Sequence, residues 1–219
     1  KSVCLLTPVT PPNIIAIGLN YKQHSEETKI PTANDPVIFL KATTSLAHPY
    51  EEIMLPAMAP KEVDYEGELA IVIGKTAKNI TVEEAHQYIF GYTCANDVSA
   101  RDCQFRLDKQ WARGKSFDAF SPMGPCVVQG IDAGHLNIQT RLNGKIMQSG
   151  NTSQLIFGIE ELVSYCSKNM TLLPGTVIMS GTPSGVGYTR RPPVFLKKGD
   201  VVEIEIEGIG VLHNAVTVE

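Results

Sequence analysis

The apolar run Leu69–Ile73 is entered through two acidic residues one position apart, Glu66 and Glu68, in Asp64-Tyr65-Glu66-Gly67-Glu68. A short run of this kind reads as a buried strand. Residues i and i+2 of a strand share a face, so both carboxylates point together while Gly67 points the other way. Two like charges at the edge of a core repel each other and are costly to desolvate, so the pair calls for a cation. Asp97, which also follows a short apolar run, brings a third carboxylate. Three carboxylate donors suit a hard divalent ion such as Mg²⁺ or Mn²⁺, with positions left for water or substrate. The plainer alternative is the solvated face of an edge strand, with Asp97 in a turn.

The 219 residues are 43% hydrophobic, enough to bury one full core. A net charge of −4 without any basic block argues against nucleic-acid binding. No apolar run reaches the length of a membrane span, and Lys1–Thr10 lacks the organisation of a signal peptide. Five cysteines, an odd number without CxxC spacing, fit neither a disulfide framework nor a zinc site. The expected setting is reducing, the cytoplasm; an organellar leader before Lys1 would lie outside this sequence. Cys94 and Cys126 lie in apolar runs and read as core residues.

Neither repeats nor low-complexity linkers divide the chain, so 1–219 reads as a single domain. Residues 1–13 form an extended, proline-containing arm. Strands are expected at Ile14–Gly18, Pro36–Lys41 and Glu68–Ile73. Thr81-Val82-Glu83-Glu84 fits a capping box that opens a helix through Ile89. A second helix is expected over Ala100–Trp111, with Arg101, Gln104 and Asp108 near one face, and a third over Ile159–Ser167. Asn143-Gly144 between Leu136–Leu142 and Lys145–Gln148 reads as a type I′ hairpin. Val202–Glu207 alternates as a half-exposed strand, followed by a turn at Gly208-Ile209-Gly210 and a final strand. Strands and helices do not alternate regularly, which disfavours a doubly wound parallel sheet. The expected fold is mixed and β-rich (α+β), a roll or barrel-like sandwich with short peripheral helices.

Three further segments carry chemistry. His24 and Glu27 are spaced i, i+3, so on a helical turn they share a face and the carboxylate can orient the imidazole as a base for water. Lys115, beside Gly114, can place an ammonium near a metal or a substrate oxyanion. Ser180-Gly181-Thr182-Pro183-Ser184-Gly185-Val186-Gly187 is a loop suited to grip a carboxylate through backbone N–H groups and the Thr182 hydroxyl. It lacks the Gly-Lys-Ser/Thr ending of a nucleotide-binding P-loop. Taken alone, the His24/Glu27 pair reads equally well as a polar helix start, a lone lysine is usually a solvated surface charge, and the loop also reads as a tight connection without a ligand.

Together these segments resemble the fumarylacetoacetate hydrolase family. The match rests on Gly18-Leu19-Asn20-Tyr21 with His24 and Glu27, Phe39-Leu40-Lys41, Asp64–Leu69, Asn96–Asp102, Gly114–Asp118 and Ser180–Gly187, six motifs in order over almost the whole chain. The resemblance implies a β-roll, a homodimer and one Mg²⁺ or Mn²⁺ per subunit. It implies Glu66, Glu68 and Asp97 as metal ligands, and His24 with Glu27 as a water-activating dyad on a mobile lid over about 20–34. It places Lys115 beside the metal and the oxyanion, and Arg101, Gln104 and Thr182 at the substrate. Ser180 stands where a threonine is common, and Gly175-Thr176 replaces a frequent Gly-Asp. The chain looks like the short branch without the extra N-terminal domain.

The activity this implies is metal-dependent chemistry on 2-oxo or 1,3-diketo acids, with hydrolysis of an acylpyruvate-type C–C bond through a stabilised enolate as the favoured reaction. Decarboxylation of oxaloacetate or isomerisation of an unsaturated 2-oxo diacid would use the same groups. Readings of other kinds are a metal-stabilised binding protein without turnover, and a thiol enzyme built on Cys94 or Cys103.

Overall fold

The computed structural model describes residues 4–219. The first three residues of the expected arm lie outside this range, and 4–13 contain no helix or strand. Fourteen strands follow among the described residues: β1 Ile14–Gly18, β2 Val37–Lys41, β3 Leu46–Ala47, β4 Ile53–Leu55, β5 Val63–Asp64, β6 Gly67–Ile73 and β7 Ile89–Asn96. The second half holds β8 Ser99–Ala100, β9 Ser121–Val128, β10 Asn137–Leu142, β11 Lys145–Asn151, β12 Val177–Met179, β13 Val201–Ile206 and β14 Gly210–Val218. The α-helices are α1 Lys22–Thr28, α2 Ala112–Lys115 and α3 Ile159–Asn169. No helix among the described residues is long and apolar enough to cross a membrane.

One sheet has seven strands in the order β2-β1-β12-β6-β7-β9-β3, and a second has five, β11-β10-β13-β14-β4. The two edges of the large sheet, β2 and β3, are consecutive in the chain, separated only by residues 42–45. That connector spans about 18 Å at full extension, whereas a flat sheet of this width would hold its edges about 29 Å apart. The sheet therefore curls toward closure, as a roll. This is the β-rich fold expected from the sequence.

β6 is buried on both faces. Leu69, Ile71 and Ile73 join the main core beneath the five-stranded sheet, with Cys94, Ile138, Ile204 and Leu212. Ala70 and Val72 belong to a second cluster with Ile14, Ala16, Phe39, Ala95 and Met179. Alternation along one strand thus feeds two cores, which is why the run reads as continuously apolar.

Three expectations need correction. Thr81 and Glu84 do exchange the capping-box bonds, Thr81 N to Glu84 Oε2 at 2.9 Å and Glu84 N to Thr81 Oγ1 at 3.3 Å. The helix they open is only a 3₁₀ turn, Ala85–Tyr88, because Ile89 already pairs with Ile73 as the first residue of β7. Ala100–Trp111 is not one helix. Ala100 ends β8, Cys103–Leu107 form a π-helical turn closed by Asp108 N to Cys103 O at 3.2 Å, and the chain leaves it to restart as α2. Asp108 turns outward to Arg113 rather than joining Arg101 and Gln104. Cys126 is exposed, not core; it lies within the irregularity between Gly124 and Val128 that interrupts β7–β9 pairing.

Candidate metal centre and active site

The register of β6 against β7 assembles the acidic cluster. Glu68 lies opposite Ala95, and Asp97 is two residues beyond Ala95 just as Glu66 is two before Glu68. Period two therefore brings all three carboxylates to one face. The turn is fixed by Asp97 N donating to Glu66 O at 2.8 Å and Glu66 N donating to Asn96 Oδ1 at 3.0 Å. All three residues are buried, and one oxygen from each lies within 4.8 Å of the others. The solvated-edge alternative is thereby excluded.

Buried cations surround the cluster. Lys115 Nζ donates to Glu66 Oε2 at 2.8 Å and to Asp97 Oδ2 at 2.7 Å. Lys115 reaches them because α2 packs against the π-helical turn at Gly114, where a Cβ would lie 2.9 Å from both Ala100 O and Gln104 N. Arg101 Nη1 lies 2.7 Å from Glu66 Oε1, and its Nε donates to Asp64 Oδ2 at 3.0 Å. Lys41 Nζ bonds Asp97 Oδ1 and donates to Phe120 O at 2.7 Å. Burial would raise the Glu66 pKa, but Lys115 and Arg101 outweigh it and hold that carboxyl below the usual range. Burial works against the Lys115 ammonium, yet Asp97 and Glu66 together keep its pKa above the ordinary value.

Glu68 is different. Burial first, then the neighbouring Asp97 and Glu66, push its pKa well above the usual carboxylate range. Its side chain accepts one hydrogen bond, from Gly181 N at 2.7 Å, and no cationic side chain among the described residues lies within ion-pair distance. A third buried carboxylate without a counter-charge, converging with two others, is a donor set that fits a divalent ion. The pocket admits the centre of a water-sized sphere over only about 20 Å³, the scale of one water or one ion.

His24 and Glu27 meet as their spacing implies. His24 Nδ1 lies 2.8 Å from Glu27 Oε1 on α1, and His24 lines the same pocket as Glu66, Glu68, Asp97, Lys115 and Thr182. With Nδ1 engaged by Glu27, Nε2 is the ring nitrogen left for chemistry. Gln104 Oε1 accepts from Arg101 Nη1 at 2.9 Å, so the two expected substrate contacts also hold each other. Thr182 Oγ1 donates to Gly67 O at 2.9 Å and accepts from Gln148 Nε2 at 2.7 Å.

The loop after β12 does grip carboxylates, but those of this chain. Gly181 N binds Glu68, Gly185 N binds Glu27, and Gly187 N and Tyr188 N bind Asp64. Sequence reasoning assigned no role to Lys41 or Asp64, although both sit inside quoted motifs. Their partners lie 56 and 37 residues away, Asp97 for Lys41 and Arg101 for Asp64, so no local spacing announces them. An aromatic wall also went unread. Trp111 meets the Phe39 ring edge-on at 5.6 Å and lies so close over Gly18 that a Cβ there would fall 2.5 Å from its ring.

Residues 13–217 match the family described as fumarylacetoacetate (FAA) hydrolase, C-terminal. The chain belongs to that family. It is 48% identical to the rat protein named oxaloacetate tautomerase Fahd2a, mitochondrial, over 99% of this chain and 70% of that protein. Among solved structures, 5-carboxymethyl-2-hydroxymuconate delta-isomerase from Mycobacterium smegmatis superposes with a TM-score of 0.89 at 46% identity, covering 99% of this chain and 82% of that one. A fumarylacetoacetate hydrolase from Exiguobacterium antarcticum gives a TM-score of 0.92 at 42% identity, covering 100% and 80%. The chain is accordingly an enzyme of the fumarylacetoacetate hydrolase family with its fold. The relatives are named for tautomerisation, isomerisation and hydrolysis, so membership leaves the reaction itself to the site.

Proposed function

We propose that this enzyme uses a divalent ion, Mg²⁺ or Mn²⁺, held by Glu66, Glu68 and Asp97, to move a proton beside the keto group of a small 2-oxo diacid of the oxaloacetate type. The carrying observation is the part-buried His24 Nδ1–Glu27 contact at 2.8 Å, which leaves Nε2 for chemistry in a base on the wall of the acidic pocket. The names of the rat and Mycobacterium smegmatis relatives, a tautomerase and an isomerase, support proton transfer ahead of the acylpyruvate hydrolysis that the sequence alone favoured.

Glu66, Glu68 and Asp97 would hold the ion, which when bound would supply Lewis-acid stabilisation of negative charge on a 2-oxo acid. His24 takes a proton from C3 through Nε2, and Glu27 stabilises the imidazolium that results. The same imidazolium returns a proton to the C2 oxygen, so the keto and enol forms interconvert with no atom gained or lost. Lys115, kept charged by its carboxylate neighbours, donates a hydrogen bond to the oxygen that carries the charge. Arg101, Gln104 and Thr182 shape the carboxylate end. Residues 20–34 serve as a lid, because α1 carries His24 and Glu27 onto the wall of the acidic pocket. The free thiols suit a reducing compartment, cytosol or mitochondrial matrix. Exposed Tyr50, Met54 and Met58 supply apolar surface for a homodimer.

Hydrolysis is the second reading, favoured by the same dyad: Nε2 can deprotonate water for attack on an acylpyruvate, and the Exiguobacterium relative is named a hydrolase. Parallel assays separate the two. With Mn²⁺ present, the enzyme should consume enol-oxaloacetate far faster than it cleaves acylpyruvate; the reverse order would replace tautomerisation with hydrolysis.

A further inference from the structure

Residues Gly185–Thr189 hold two carboxylates at once. On one side, Gly185 N lies 3.1 and 3.0 Å from the two oxygens of Glu27, and the Thr189 hydroxyl lies 3.2 Å from Glu27 Oε2 and 3.0 Å from Val186 O, sharing its proton between them. On the other side, Gly187 N donates to Asp64 Oδ1 at 2.8 Å and Tyr188 N to Asp64 Oδ2 at 3.0 Å. Asp64 is fully buried and also accepts from Tyr65 N at 2.9 Å and Arg101 Nε at 3.0 Å. The approach is so close that a Cβ on Gly187 would lie 2.5 Å from Asp64 Oδ1 and 1.9 Å from Val194 O.

Arg101 carries the connection onward. Its Nη1 lies 2.7 Å from Glu66 Oε1, its guanidinium sits 4.4 Å from the centre of the Tyr188 ring, and its Nη2 lies 2.9 Å from Asp64. An unbroken series of polar contacts therefore runs from His24 through Glu27, the loop, Asp64 and Arg101 to Glu66. Both ends face one pocket. The two oxygens of Glu66 are held by Arg101 and Lys115, so an ion reaching Glu66 competes with those cations unless they have another anion to hold them. Asp64 is that anion for Arg101, and the loop that clasps Glu27 shapes how Asp64 is held.

We propose that Asp64 is a positioning residue that couples the docking of α1 to ion binding at Glu66, Glu68 and Asp97. With Glu27 clasped by the loop, Asp64 stays in place as a second anion for Arg101, so the guanidinium yields the Glu66 oxygen to the ion at lower cost and the ion binds more tightly. By reciprocity, the bound ion holds α1 down. The catalytic base is thus set in place when the ion is present. The inference rests on the metal reading above, and its test needs no substrate.

The test is Mn²⁺ titration of the purified protein, followed by paramagnetic resonance, together with amide exchange of the α1 segment. Thr189→Val removes the hydroxyl that bridges Glu27 and the Val186 carbonyl and touches no carboxylate of the ion site. It should weaken Mn²⁺ binding about 5-fold or more, the usual scale of such coupling, and Thr189→Ser should restore it. Mn²⁺ should slow amide exchange in α1 of the wild type and fail to do so in Asp64→Asn. If Asp64→Asn does not fold, the Thr189 pair and the wild-type exchange decide the matter. Wild-type Mn²⁺ affinity in Thr189→Val, or α1 exchange indifferent to Mn²⁺ in the wild type, overturns the coupling alone. A wild type that takes up no Mn²⁺ overturns the metal reading, and the coupling with it.

Discussion

Gly181 N donates to Glu68 Oε2 at 2.7 Å, and that single backbone dipole is the only hydrogen bond to the Glu68 side chain among the described residues. Glu66 and Asp97 each contact buried ammonium groups, while Glu68 contacts none. The metal-free protein therefore carries an electrostatic cost at Glu68 that an ion would relieve.

Glu68→Gln should raise the melting temperature of the metal-free protein and abolish its response to Mn²⁺. At a hundredfold excess over its dissociation constant, an ion stabilises the wild type by about 2.7 kcal/mol, or roughly 5–11 °C for a chain of this length. The pH dependence has a definite sign. The Glu68 pKa is higher folded than unfolded, so the folded state binds that proton more tightly and loses stability relative to the unfolded chain as pH rises above about 4.5. The advantage of Glu68→Gln in EDTA should therefore vanish toward pH 4 and grow as pH rises, as seen by calorimetry.

Lys41→Met keeps volume but leaves one oxygen of Asp97 and the Phe120 carbonyl without their buried donor. Removing one partner of a buried pair costs roughly 3–5 kcal/mol, readable as a lower urea midpoint at unchanged slope. Metal affinity should fall as well, because Asp97 loses the contact that fixes its orientation.

Gly18→Ala places a methyl where the Trp111 ring now lies. Trp111 is half-buried, so a shift of its ring should keep the stability cost near 1 kcal/mol. Displacing the aromatic wall should instead raise KM several-fold with kcat little changed, in steady-state assays with oxaloacetate.

Burial pushes the Cys94 and Cys166 thiols up to about 12, and Cys103 is raised for the same first cause. Thiolate is the reactive form. An aromatic disulfide reagent at pH 8 should therefore label the exposed Cys4 and Cys126 in the folded protein and all five cysteines only after unfolding. Activity should survive a Cys94→Ala/Cys103→Ala exchange, which removes the thiol-enzyme reading.

The legible parts of this site are those with short-range geometry. Glu66 and Glu68 follow from period two, His24 and Glu27 from one helical turn, and the β10–β11 hairpin from Asn143-Gly144, both at positive φ as a type I′ turn requires. The illegible parts depend on closure of the sheet. Lys41 ends an apolar edge strand and reads as a surface lysine; it is buried because the curl of the large sheet carries β2 toward β7 and β9. The Ala100–Trp111 stretch has helical spacing, but Asp102 accepts from Cys103 N and Gly114 draws the returning chain close, so a π-helical turn replaces a straight helix. The cation side of the site is thus a product of topology, and the carboxylate side of local pattern.

In the proposed reaction His24 moves a proton on a 2-oxo diacid whose charge would be borne by an ion at the three carboxylates. The most direct measurement is the decay of the enol absorbance of oxaloacetate with Mn²⁺, for wild type, His24→Ala and Glu66→Ala side by side. Losses of about 10²–10⁴-fold for His24→Ala, together with loss of the Mn²⁺-dependent rate in Glu66→Ala, are the predicted result. Wild-type decay in His24→Ala, or Mn²⁺-dependent decay that persists in Glu66→Ala, would contradict it.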